Sequence, residues 1–419
     1  MNILFIHQNF PGQFRHIAPE MVRRGHLVKA LMRGDGQSVD MQGVNVSSYK
    51  ISRSTSETVH PWVSDFETKI IRAESCFKAA LKLKNEGFVP DVIMAHPGWG
   101  ESLFIKDVWP SAKLGIYCEF FYSSDTTDVG FDPEFPVENK DLDACRIKLK
   151  NINNFMHFDV ADFGLSPTVW QASTFPNRFQ NKISVIHDGI DTQVVKPNQT
   201  SNITIKSNDE TLKISRGDQI VTFVNRNLEP YRGYHVFCRS LPQLLKKYPK
   251  LRILIIGGSD VSYGSKPDAQ KFGKRCWRDI FAAEVKPQMT ASEWRRIHFM
   301  GNVSYKVYLK VLQLSKAHVY LTYPFVLSWS LLEAMASACP IIASDTGPLR
   351  GIIKHEKNGL MVDFFSVDEL VGGVVRLLEN PKIASKLGNT ARRDCIKKFD
   401  LHSVCLPAQI KLLETNSVV

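Results

Sequence analysis

The chain has 419 residues, 43% hydrophobic and 23% charged, with a formal net charge of +11. It is too long for one ordinary core, so two domains of about 200 residues each are expected. The composition argues against a disordered chain, and the most apolar stretch, around 319–343, carries Glu333, Pro324, Pro340 and several serines, which argues against a membrane span.

The chain opens with the apolar run Ile3–Ile6, the length of a buried strand, and no signal peptide is read. Eight cysteines stand without metal-like pairing or a C-x-x-C, as expected for reduced, mostly buried thiols of a cytoplasmic protein. The basic excess points to an anionic partner. An anionic membrane surface ranks first, phosphorylated substrates follow, and nucleic acid comes last because no aromatic-interleaved basic stripe is present.

Short apolar runs alternate with helical patterns from end to end, which predicts an α/β fold with parallel sheets. In the first half the predicted strands are Ile3–Ile6, Leu27–Leu31, Asp91–Ala95, Leu114–Tyr117, Phe163–Leu165 and Ile183–Ile186. After the first comes HQNFPGQF (7–14), which opens an amphipathic helix with Phe14, Ile17, Ala18 and Met21 on one face. Gly12 lets this loop approach a bound ligand closely. Arg15, Arg23 and Arg24 form the opposite face, either a solvated basic face or a contact for anionic headgroups. His96 follows the strand ending at Ala95, as a cleft contact or as a strand-end packing residue. Glu119 stands just after the strand ending at Tyr117, a carboxylate at the cleft end of a buried strand that can serve as a base. Asp128, Asp132 and Glu134 mark an acidic loop, the last two read as turn residues. Asp141 and Asp143 form a D-x-D in a helix-like charged run, read as incidental, so no essential metal is expected.

The polar stretch 196–218 is the expected interdomain connection, dividing a first domain (1–195) from a second (196–401), with a last helix near His402–Leu413, in the segment 402–419, crossing back. The second-half strands are Ile220–Val224, Leu251–Ile256, Ile297–Met300, Val319–Thr322, Ile341–Ser344 and Leu360–Val362. Two such doubly wound domains facing across a cleft bind ligands outside the carboxyl ends of their strands. In VNRNLEPYRG (224–233), Arg226 and Arg232 are placed to grip a diphosphate from two sides. In IIGGSD (255–260), Gly258 permits a close backbone approach. In YPFVLSWSLLEAMASACPIIASDTGP (323–348), a strand runs through a turn into a helix. The N–H groups of Ser328, Trp329, Ser330, Leu331 and Leu332 make an anion cradle there, and Glu333 is placed to accept ribose hydroxyls.

The segment 323–348, together with VNRNLEPYRG, HFMGNVS (298–304) and IHDGID (186–191), resembles the family 4 glycosyltransferases of the GT-B fold. HQNFPGQF with EFFY…DVGFDPEFP is similar to a bacterial subgroup of it. The resemblance implies a retaining enzyme using a nucleotide-diphosphate sugar, most often a UDP-sugar, and no metal cofactor. It makes Val303 a contact for the base, gives 186–191 a structural role, and puts Glu119 where many members have a histidine. Arg232 stands where a lysine is usual. Phe325 stands where the family often has the first of two glutamates, which leaves the donor sugar open. The implied acceptor is a glycan or lipid-linked saccharide of a bacterial surface polymer. A nucleotide-sugar hydrolase or epimerase, or a non-catalytic binding subunit, are the rival readings.

Overall fold

A computed structural model describes residues 1–125, 127–207 and 210–417. Residue 126 of the acidic loop, 208–209 of the connection and the last two residues of 402–419 lie outside the described residues. The chain divides into two compact units, Met1–Gly189 with Leu401–Val419, and Ile190–Asp400. The first division falls between Gly189 and Ile190, before the polar stretch, because Ile190 and Val195 already pack in the second core.

The first unit holds an eight-stranded sheet in the order Ser38–Met41, Val44–Tyr49, Leu27–Arg33, Asn2–Ile6, Val92–Ala95, Lys113–Tyr117, Phe163–Ser166 and Ile183–Val185. Every pairing is parallel except that of Ser38–Met41 with Val44–Tyr49. The first strand, Val92–Ala95 and Lys113–Tyr117 are buried on both faces, which is why they read as continuous apolar runs. The pair Ser38–Met41 and Val44–Tyr49 was not expected. The exposed burial pattern of Ser38–Met41 leaves no apolar run to detect.

The second unit holds a six-stranded, all-parallel sheet, ordered Ile297–Gly301, Arg252–Gly258, Ile220–Asn227, Ala317–Tyr320, Ile341–Ser344 and Leu360–Val362. The stretch read as a connection carries an antiparallel hairpin, Asn202–Ser207 with Glu210–Ser215. Ile203 and Ile214 face each other across it and join the core, so the alternation NITI is a strand signal in a polar setting.

The last helix, Leu406–Thr415, follows a wide turn at Leu401–Cys405. Leu401, Leu406, Ile410 and Leu413 pack with Ile3, Phe5 and Phe14, so the chain returns to its first core. Among the described residues no helix is long and apolar enough to cross a membrane. Six of the eight cysteines are buried and all are free thiols.

Candidate functional site

In the second unit, the carboxyl ends of the parallel strands collect most of the anticipated residues. Arg226 lies near the end of Ile220–Asn227 and is exposed. Gly258 ends the adjacent strand, and Val303 sits in the turn between Ile297–Gly301 and the helix Tyr305–Leu314. The turn after Ala317–Tyr320 leads into the helix Trp329–Ala336.

Glu333 is half-buried on that helix, one carboxylate oxygen accepting from Tyr305 Oη at 2.7 Å and the other from Tyr308 Oη at 2.6 Å. Both tyrosines come from the helix after the Val303 turn, three residues apart and so on one face. A carboxylate offers about four acceptor positions, so a pinned Glu333 keeps capacity for ligand hydroxyls. Burial and the adjoining carboxylate push the Tyr308 phenol well above its usual range, so it stays a donor.

Two expectations need correction. The first concerns Arg232, which does not project. It lies in the turn Pro230–Arg232, is 3% exposed, and donates from Nη1 to Thr322 Oγ1 (2.7 Å) and the Val326 carbonyl (3.0 Å). The Tyr263 ring lies 4.8 Å from its guanidinium carbon. Arg232 therefore orders the turn that carries Phe325, and Arg226 is the guanidinium open to a ligand. The second concerns the N–H cradle, which is partly filled by the protein. Ser328 N–H donates to Tyr320 Oη, Ser330 N–H to Ser328 Oγ, and Leu331 N–H to the Ser328 carbonyl. Ser328 is the helix N-cap, which is why these donors are taken. The Leu331 and Leu332 side chains are fully buried, and Trp329 packs on the same core. At Gly258 an added Cβ would meet Asn227 Oδ1 at 2.5 Å, so the missing side chain makes room for Asn227.

Phe325 is 6% exposed and packs on Tyr231 and Tyr263, with ring centroids 5.7 and 5.0 Å away. Glu229, missed in the sequence although three positions before Arg232, is buried and accepts from the N–H groups of Ser262, Tyr263 and Gly264. Burial raises its carboxyl against the pull of those bonds, and it fixes the loop that lays Tyr263 on Arg232. Val303 packs against the core, leaving its backbone for any contact with a base.

In the first unit a second constellation centres on Glu119. His96 Nδ1 accepts from Gly98 N–H at 3.2 Å, so the neutral ring carries its proton on Nε2, which faces Glu119 at 3.5 Å. His7 Nδ1 likewise accepts from Asn9 N–H, which leaves Nε2–H to donate to Gln13 Oε1 at 2.8 Å. The Gln13 amide then donates to Glu119 Oε1 at 3.3 Å. Both tautomers follow from these acceptor roles. Burial pushes the Glu119 carboxyl up, but the facing His96, the nearby His7 and the bond from Gln13 outweigh it and hold it below its usual range. Burial and the neighbouring His96 hold His7 down at about 4. His96 is stacked between Trp99 (4.5 Å) and Tyr117 (5.4 Å), so its packing role and its contact with Glu119 coincide.

Gly12 packs against this cluster. Its φ is +47°, and an added Cβ would lie 2.3 Å from the His7 ring. Asp128 is buried in its loop, and Asp132 Oδ1 closes a turn with Glu134 N–H. Asp141 and Asp143 lie in the first turn of Lys140–Lys150, where Asp143 pairs with Arg146 at 2.6 Å. On the basic face Arg23 and Arg24 both pair with Glu20, and Arg24 also reaches Glu414 at 3.5 Å.

The model of the glycosyl transferase family 4 group matches residues 24–195, and that of the glycosyl transferases group 1 matches residues 205–394. Each half of the chain thus matches a glycosyltransferase family model. Among curated relatives, an uncharacterised glycosyltransferase of Methanocaldococcus jannaschii is 24% identical over 228 residues, 54% of this chain and 53% of the relative. A D-inositol 3-phosphate glycosyltransferase of Nocardia farcinica is 25% identical over 185 residues, 44% of this chain and 37% of the relative. The matched region thus spans about half or less of these relatives' length. A sucrose-phosphate synthase of Thermosynechococcus elongatus superposes with a TM-score of 0.72 at 16% identity, covering 99% of this chain and 98% of that one. Anabaena HepE, solved with UDP and glucose, gives 0.67 at 15% identity, covering 99% and 100%. Such likenesses establish the fold, GT-B, with two Rossmann-like domains.

Proposed function

We propose that the protein transfers a sugar from a nucleotide-diphosphate sugar, with UDP as the first nucleotide to test, to a hydroxyl of a glycan or lipid-linked acceptor, with retention of anomeric configuration. The observation that carries this reading is the pinned Glu333 carboxylate at the carboxyl edge of the six-stranded sheet, the edge where Arg226 is exposed. Glu333 takes the ribose hydroxyls and Arg226 the leaving diphosphate. Solved structures of the same fold with UDP bound support the choice of nucleotide.

The bond from the anomeric carbon to the diphosphate oxygen breaks, and the acceptor oxygen bonds the same face of the sugar. The leaving diphosphate receives the acceptor proton, so no protein nucleophile is needed. Arg226 and the remaining N–H groups near Ser328 carry the developing charge, and no metal is required. Glu119, held as a carboxylate by the Gln13 amide and the facing His96, serves the acceptor hydroxyl or the positive charge on the sugar.

The test is a thermal-shift titration against UDP, GDP, ADP, CMP and their sugar conjugates. A ligand at 100 times its dissociation constant stabilises by about 2.7 kcal/mol. A shift confined to one nucleotide family supports the donor site, and none with any would overturn it. Release of free sugar without an acceptor would mark a hydrolase instead.

A further inference from the structure

The second unit has a cavity of about 390 Å³ at the edge of its sheet opposite the donor residues. Its wall includes Asp218 and Gln219, Ser315 and Lys316, and Cys339 and Pro340, the residues just ahead of three adjacent strands, Ile220–Asn227, Ala317–Tyr320 and Ile341–Ser344. It therefore lies at the amino ends of those strands, whereas Arg226 and the Ser328 turn lie at their carboxyl ends. The volume is in the range of small-molecule sites.

Its chemistry is two-sided. Leu312, Leu377, Pro381 and Ala384 line an apolar part. Arg216 and Lys316 supply two cations, against the single carboxylate of Asp218, one oxygen of which accepts from Ser215 N–H at 2.7 Å. Arg216 donates from Nη1 to the Gln313 carbonyl. Burial and the neighbouring Arg216 push the Lys316 ammonium down, so an anion there is favoured twice, by pairing and by relief of repulsion.

We propose that this cavity is a second ligand site, taking a small organic anion whose phosphate, sulfonate or carboxylate meets Lys316 and Arg216 while an apolar body fills the leucine-lined part. It stands independently of the donor reading. Two helices lead from it to the other edge. Trp329–Ala336 carries Glu333 and ends beside Ser337, and Tyr305–Leu314 carries Tyr305 and Tyr308 and ends beside Ser315.

The test uses the full-length protein and two fluorescent probes with a similar apolar body, anilinonaphthalene sulfonate and the uncharged phenylnaphthylamine. The sulfonate is expected to bind at one saturable site per chain and to remain bound under excess UDP. Lys316→Ala should weaken it about tenfold, the loss of one charge-assisted contact, and leave the neutral probe unaffected. Ser385→Trp, an exposed position on the cavity wall, should block both probes without lowering the melting temperature. Sulfonate affinity unchanged in both variants, displacement by UDP, or the absence of saturable binding would each overturn the proposal.

Discussion

Glu119, Glu333 and Arg232 are held by quite different partners, and each predicts a different mutant phenotype. Glu119 is oriented by His96 and by the His7–Gln13 pair, so Glu119→Gln keeps the shape and removes the charge. Transfer should fall by about 10²–10⁴, the range for a general base, while the thermal shift with nucleotide persists. Loss of both would move Glu119 out of catalysis and into folding. Glu333→Ala should do the reverse, weakening nucleotide about tenfold or more, read by calorimetry. Arg232 is buried, and its removal orphans the Thr322 hydroxyl and the Val326 carbonyl. Arg232→Ala should therefore cost about 1–3 kcal/mol of stability before any ligand is added. Arg226→Ala, at an exposed position, should leave the melting temperature alone and cut nucleotide affinity. Equal melting temperatures for the two alanine variants would show that the burial of Arg232 carries no energetic weight.

Among the elements, the loop Gly12–Phe14 and the helix Leu406–Thr415 show how parts distant in sequence complete a core or a site. Gly12 occupies a left-handed conformation beside the His7 ring, so Gly12→Ala combines an unfavourable φ, about 1–2 kcal/mol, with a displaced His7. Disturbance of His7, followed by the ring resonances of His7 and His96, is the expected signature. Unchanged resonances would mean the loop yields instead. Truncation after Asp400 strips Leu406, Ile410 and Leu413 from the first core, each worth roughly 1.5–3 kcal/mol buried. The first unit should then melt separately and earlier. The buried parallel strands and this returning helix were legible because continuous apolar runs and an amphipathic period survive any context. The hairpin Asn202–Ser207 with Glu210–Ser215 was hidden by its polar surroundings. Glu333 and Arg226 could be placed from strand ends alone. The Tyr305–Tyr308 clamp, the Gln13 bridge and the burial of Arg232 could not, because they depend on which loops meet in space.

For the molecule as a whole, buried histidines make acid the condition to which this fold is most exposed. His7, His157, His187, His298 and His318 all have pKa values lowered from 6.5 to about 4, with burial the first cause in each. In the unfolded chain these rings protonate near the ordinary value, so between about 6.5 and 4 the unfolded state binds more protons than the folded one. Stability therefore rises with pH through that window and is lost as pH falls through it. Carboxylates held low, such as Glu119 and Asp162, contribute only further down, since their stabilisation disappears below the usual carboxylate range. The expected outcome is a melting temperature that drops steadily from pH 7 to pH 5, before carboxylate protonation begins. Replacing His318, which is fully buried and bonded to Thr222 Oγ1 at 2.8 Å through Nδ1, with Gln should flatten that slope. A melting temperature flat down to pH 5 would mean that these rings gain solvent or partners on protonation, and that the interior is more open than its burial indicates.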